Sequence, residues 1–117
     1  MDSAIFVLNI NNVRGVSAFL DDEKIRLMFR SSLQLESWHS LLRTINELIQ
    51  ANLLNWNFDL TKLEYPSSTD IGMWVTCVSR IKLKSGKIVF IVQKESNIHM
   101  LLEATNLMKI FDVVLVM

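Results

Sequence analysis

The chain has 117 residues, with twelve basic and twelve acidic side chains and one proline. This length and the lack of any linker-like segment predict a single domain over residues 1–117, and the charge balance argues against a surface that binds nucleic-acid phosphates or anchors to acidic lipid. One cysteine and two histidines exclude an internal disulfide bond and a zinc site of the usual spacing.

Export and membrane insertion are not predicted. Asp2 stands where a signal peptide needs positive charge, and no run of about 18 apolar residues occurs. We therefore expect a cytoplasmic protein. Half of the residues are hydrophobic and the mean hydropathy is +0.30, so part of the apolar surface is expected to contact a partner or a second copy in a homodimer.

The first half of the chain predicts two strands and a helix. Residues 4–10 are rich in β-branched and aromatic side chains, and residues 24–29 alternate between apolar and polar, with a polar break at residues 21–23. From Leu35 onwards apolar residues recur every three or four positions, which predicts an amphipathic helix ending near Asn52.

The second half predicts three strands separated by two helices. Residues 53–60 alternate again, and residues 87–92 form the continuous apolar run typical of a strand buried on both faces. The helix between them ends in a turn at Ser85 and Gly86. Ser96 can cap a third helix, and residues 111–117 form a last strand.

The order of these elements predicts an α/β fold. Each strand-helix-strand unit should cross over right-handedly to give parallel neighbours, so we expect a single-layer, mixed, mostly parallel sheet of about five strands with about three helices packed on it. In such sheets, sites gather where strands end and helices begin. The polar cluster Ser67, Ser68, Thr69 and Asp70 lies at such a place.

This cluster has two interpretations. Ser67 followed by Asp70 fits a capping box, in which each side chain accepts a hydrogen bond from the other residue's backbone N–H. Ser68 and Thr69 add hydroxyls that a cap does not need, and a helix start suits an added phosphate. The residues alone favour the plain cap.

Residues 57–92 resemble the central part of the STAS family, the domain shared by sulfate transporters and anti-sigma-factor antagonists. The resemblance rests on "DLT" at residues 59–61, on the Ser68-Thr69 and Ile71-Gly72 pairs, and on Gly86. Residues 97–111 are similar to the family's third helix and its ending. The resemblance implies a non-enzymatic, protein-binding regulator that needs no cofactor or metal.

The sequence also departs from the family pattern. Ser67 stands where the family has an acid, while Asp70 and Asn106 stand where it has glycines, and asparagine shares the tolerance for left-handed backbone. The sequence ends at the last predicted strand, so the family's C-terminal helix is expected to be absent.

Other residues have both a structural and a functional interpretation. Asp59 either accepts hydrogen bonds from its own loop or forms part of a site with Ser68. Met73, with Cys77 and Arg80, forms a helix stripe that is either a contact surface or partly buried. The basic residues that follow are interpreted as favourable charge at a helix C-terminus. The core is expected to contain Trp38, Trp74 and Cys77, whereas His39 and His99 are expected to be solvated.

The leading hypothesis is a regulator resembling an anti-sigma-factor antagonist. It would bind a protein partner, such as a serine-kinase-like anti-sigma factor, through Asp59, Ser67, Ser68, Thr69, Asp70 and Met73, and phosphorylation of Ser68 would control the binding. The alternative is a constitutive, unphosphorylated scaffold or accessory subunit of a signalling or transporter assembly. A phosphate-binding enzyme ranks third, because no glycine-rich loop occurs.

Overall fold

The computed structural model describes residues 9–117. After helical residues 9–11, the described chain contains five strands, three longer helices and a short 3₁₀ helix. The strands are β1 (Val16–Asp21), β2 (Lys24–Phe29), β3 (Asn55–Asp59), β4 (Lys87–Gln93) and β5 (Asp112–Val116). The helices are α1 (Leu35–Gln50), α2 (Ser68–Leu83) and α3 (Asn97–Ala104), and the 3₁₀ helix is Leu107–Lys109.

All five strands form one sheet in the order β1-β2-β3-β4-β5. The β1–β2 pair is antiparallel, and each later pair is parallel and is joined by one of the three helices. Because right-handed crossovers between successive neighbours all turn to the same side, the three helices cover one face of the sheet. The predicted mixed, mostly parallel sheet with helices packed on it is confirmed.

The first strand is not where the sequence pattern placed it. The predicted strand at residues 4–10 is wrong at its end, where residues 9 and 10 are helical, and residues 4–8 lie outside the described residues. The strand that pairs with β2 is instead β1. Asp22 and Glu23 join the two strands with positive φ angles of 47° and 66°, which is the backbone of a two-residue hairpin turn.

Aromatic side chains fill the core between the helices and the sheet. Phe29, Phe58 and Phe90 stand side by side on β2, β3 and β4, with ring centroids 5.4 Å and 5.3 Å apart. Trp38 from α1 and Trp74 from α2 pack against this row and are fully buried, as predicted. These aromatic contacts set the position of α1 and α2 on the sheet.

No described element packs on the opposite face of the sheet. Met28, Asp59, Ile91 and Val114 lie next to one another, in that order, along one row of this face. Burial along β4 alternates, so that Val89 and Ile91 are only half-buried. The prediction that this strand is buried on both faces is therefore wrong for the described part of the molecule. Within residues 9–117, no helix is both long and apolar enough to cross a bilayer.

Candidate partner-binding site

The site begins where β3 ends. Asp59 is the last residue of that strand, and its Oδ1 accepts hydrogen bonds from the backbone N–H of Thr61 at 2.9 Å and from the Thr61 hydroxyl at 2.6 Å. An aspartate that accepts from the residue two positions later closes a tight turn. Asp59 thus fits the first of its two interpretations, a buried residue that accepts hydrogen bonds from its own loop.

The predicted capping box is present at the start of α2. Ser67 Oγ accepts a hydrogen bond from the Asp70 N–H at 3.0 Å, and Asp70 Oδ2 accepts one from the Ser67 N–H at 2.8 Å. Two of the backbone donors that a helix start leaves unpaired are satisfied in this way. Ser67 is therefore the cap, and Ser68 is the first residue of the helix.

Asp70 does more than cap its own helix. Its carboxylate also accepts hydrogen bonds from the Ser32 hydroxyl at 2.6 Å, the Leu33 N–H at 3.1 Å and the Trp38 indole N–H at 2.7 Å. These donors belong to α1 and to the loop before it, so one side chain connects the starts of α1 and α2. Sequence reasoning missed this connection, and the one signal that pointed to it was the need of a buried Trp for an acceptor.

The environment of Asp70 favours the charged carboxylate. Burial by itself would raise the pKa of Asp70, but the hydrogen bonds from Ser32, Trp38, Ser67 and Leu33 outweigh burial and lower that pKa. Asp70 is 1% exposed. Its side chain therefore lies beneath the predicted partner-binding surface and supports it from below, rather than forming part of it.

The surface above Asp70 consists of small polar groups. Ser68 and Thr69 are exposed, as is Gly72 one turn later. Tyr65, which sequence reasoning did not single out, is an exposed aromatic side chain in the preceding loop. Met73 is half-buried beside them. The structure thus places an exposed hydroxyl pair on a helix start whose own backbone is held from below.

The stripe of Met73, Cys77 and Arg80 is not a continuous surface. Cys77 is fully buried, and burial raises the pKa of its thiol to about 12, although the nearby Arg80 charge acts in the opposite direction. His39 is exposed, as predicted. The prediction of a solvated His99 is wrong, because its ring is buried, with Nδ1 accepting the Glu95 N–H and Nε2 lying 2.9 Å from Glu103 Oε1.

No protein-family model and no curated protein matches the sequence, but solved structures do match the fold. A putative anti-sigma factor antagonist from Thermotoga maritima superposes with a TM-score of 0.74 at 18% identity, over 92% of this chain and 91% of that one. The anti-sigma factor antagonist SpoIIAA in its unphosphorylated form gives a TM-score of 0.64 at 10% identity, over 85% and 86% of the two chains. The chain has the STAS fold.

The predicted resemblance to STAS domains is thereby confirmed at the level of fold. Within the STAS fold, "DLT" lies at the end of β3 and the Ser68-Thr69 pair opens α2. Asn106, which replaces a glycine of the family pattern, has a φ angle of 61° and so adopts the left-handed conformation that glycine favours.

Proposed function

We propose that the chain is a non-enzymatic regulatory module that binds a protein partner through the surface around Ser68. The observation that carries this proposal is the exposed hydroxyl pair at a helix start that Asp70 holds rigidly from below. A surface held in one conformation loses little entropy on binding. The fold, shared with two structures described as anti-sigma factor antagonists, supports the same function.

Phosphorylation of Ser68 is the proposed control. Ser68 is the first residue of α2, so a phosphate there would lie near unpaired backbone N–H groups and the positive end of the helix. The modified domain should therefore stay folded. In the partner-bound state the same dianion would have to be desolvated in a contact built around a neutral hydroxyl, which weakens binding. One of the two similar structures is described as an unphosphorylated form of its protein.

The alternative is an unphosphorylated scaffold or accessory subunit. It is favoured by the residues at positions 67 and 70, because both have their hydroxyl or carboxylate committed to the helix start. A kinase that reads the acid and the glycine of the family pattern would find neither here. The two functions share the same binding surface and differ only in the response to charge at Ser68.

The decisive experiment introduces a negative charge at Ser68 and measures partner binding. We expect Ser68→Glu to weaken binding to a partner recovered by pull-down at least about tenfold, because it places an unpaired charge in the contact. Ser68→Ala should bind as the parent does. Asn97→Glu is the matched control, since Asn97 is likewise exposed and follows a serine cap as the first residue of α3. Isothermal titration calorimetry with the purified partner measures all three.

Thermal melts of the same variants separate binding from folding. Ser68→Ala and Ser68→Glu should melt close to the parent, whereas Ser67→Ala should lose about 1 kcal/mol of stability through the lost cap. If Ser68→Glu binds as tightly as the parent, the phosphorylation switch is wrong and the scaffold remains. If Asn97→Glu weakens binding equally, the surface around Ser68 is not the contact.

A further inference from the structure

An exposed leucine surrounded by cations lies at the other end of α2. Leu83, the last residue of the helix, is 84% exposed. Four basic side chains lie around it. We call these five residues the Leu83 ridge: Leu83, Arg80, Lys82, Lys84 and Lys109. A large apolar side chain at this exposure is a cost in water that a partner surface would remove.

Shallow grooves run along both sides of the Leu83 ridge. One groove lies between α1 and α2, and Ile49 is an apolar residue of its lining. The other lies between α2 and the 3₁₀ helix, and its apolar lining residues include Val78 and Ile110. No acidic residue lines either groove. An apolar floor with a rim of a single charge sign is complementary to an apolar surface bordered by the opposite charge.

The cations of the Leu83 ridge are not neutralised within the described part of the chain. The only close contact between a basic and an acidic side chain among residues 9–117 is that of His99 with Glu103, and Lys82 makes just one long hydrogen bond, 3.4 Å to the Ile110 carbonyl. Favourable charge at a helix C-terminus accounts for cations on the last turn of α2. It accounts neither for Lys109, which belongs to another element, nor for the exposure of Leu83.

We propose that the Leu83 ridge docks an amphipathic helix of a partner protein, whose apolar stripe packs on Leu83 and whose flanking Asp and Glu side chains meet the basic rim. A helix fits because its side-chain ridges pack into grooves between neighbouring helices. The basic rim would orient the partner helix and increase its rate of association. Since α2 has 16 residues and rises about 1.5 Å per residue, this surface lies one helix length from Ser68 and is a second contact, independent of the function proposed above.

The test uses a fluorescein-labelled helical peptide of about 16 residues with a leucine stripe flanked by glutamates, and a second peptide with glutamine in place of every glutamate. We expect fluorescence polarisation to show saturable binding of the glutamate peptide to the full chain. Leu83→Ser should weaken that binding at least about tenfold. Met100→Ser is the matched control, because Met100 is also a strongly exposed apolar residue, on α3, and it should change nothing.

Charge is tested separately. The double variant Lys82→Glu/Lys109→Glu and the glutamine peptide should each weaken binding, and raising the salt from about 50 to about 500 mM should weaken it further. Equal binding by the parent and Leu83→Ser, or no binding at all, overturns the proposal. So does a dimer in sedimentation that Leu83→Ser dissociates, since the ridge would then bind a second copy. Ser68→Glu should leave peptide binding unchanged, and a loss there would overturn the separation of the two surfaces.

Discussion

The buried carboxylate of Asp70 connects the starts of α1 and α2 through its hydrogen bonds. Burying a charge is costly unless hydrogen bonds replace the lost water, and this carboxylate receives them from Ser32, Leu33, Trp38 and Ser67. The bond with Ser67 could be predicted from sequence, because a capping box is a local pattern. The other three cross more than thirty positions of the chain and leave no periodic signal.

Replacing this carboxylate with an amide should be strongly destabilising. Asp70→Asn puts an NH₂ group among N–H and O–H donors, so at least one hydrogen bond is lost and a buried donor is left unpaired. We expect a cost of about 2 to 4 kcal/mol in chemical denaturation. Asp112→Asn, at an exposed aspartate on β5, is the control and should stay within about 0.5 kcal/mol. A small effect of Asp70→Asn would mean that the connection between α1 and α2 contributes little.

The same residue predicts a pH dependence. The folded state lowers the pKa of Asp70 below its ordinary value of 3.8, so its stabilising contribution is complete above that value and is lost as the pH falls through the lowered pKa. The stability difference between the parent and Asp70→Asn should thus be constant from neutral pH to about pH 5 and shrink on further acidification. Denaturation curves at successive pH values measure it. A difference that grows on acidification would contradict the assignment.

At the scale of elements, the turn that ends α2 places different requirements on Ser85 and Gly86. Ser85 N–H donates to the Lys82 carbonyl and Gly86 N–H to the Ile81 carbonyl, each at 2.9 Å, which is a Schellman C-cap. The left-handed residue is Ser85, with a φ angle of 60°. Gly86 is needed for space, because a Cβ there would lie 2.6 Å from the Leu54 carbonyl oxygen.

These two residues should therefore respond to substitution in opposite directions. Ser85→Gly relieves left-handed strain and should raise stability by about 0.5 to 1 kcal/mol, net of the flexibility that glycine adds to the unfolded chain. Gly86→Ala should lower stability by about 1 to 3 kcal/mol, since the added Cβ meets backbone. Thermal melts decide the matter, and a destabilised Ser85→Gly would show that the serine side chain stabilises the turn.

The elements that could be predicted are those whose spacing is set by the core. α1 follows from its three-and-four apolar repeat, β3 follows from its alternation of apolar and polar residues, and β4 follows from a short apolar run bounded by polar residues. β1 was missed because only Val16 and Ala18 are buried along it. Its hairpin turn also uses Asp22 and Glu23 at positive φ, whereas the strong sequence signals for such a turn contain glycine.

At the scale of the whole molecule, a one-sided layer of helices leaves the sheet partly uncovered. β5 is an edge strand in the described structure, and Val114 on its open face is 50% exposed. Exposed apolar edge strands pair with other chains. Self-association, expected from the high apolar content, should therefore involve this edge.

A lysine on the edge tests this expectation. Val114→Lys should lower light scattering in concentrated solution while changing stability by less than about 1 kcal/mol, since the position is half solvated. Met100→Lys adds the same charge at an exposed apolar residue of α3 and should leave scattering unchanged. Equal effects of the two variants would show that net charge, rather than the edge strand, controls association.

Because Cys77 is buried, its reaction with a thiol reagent would report on opening of the folded structure. It is the one cysteine of the chain, it is fully covered, and its thiol, with a pKa of about 12, is almost entirely protonated at neutral pH and so unreactive towards disulfide reagents. Colour released from such a reagent would then follow the opening motions that expose Cys77. The rate of that release reports how readily the structure opens around Cys77, without a partner or a denaturant.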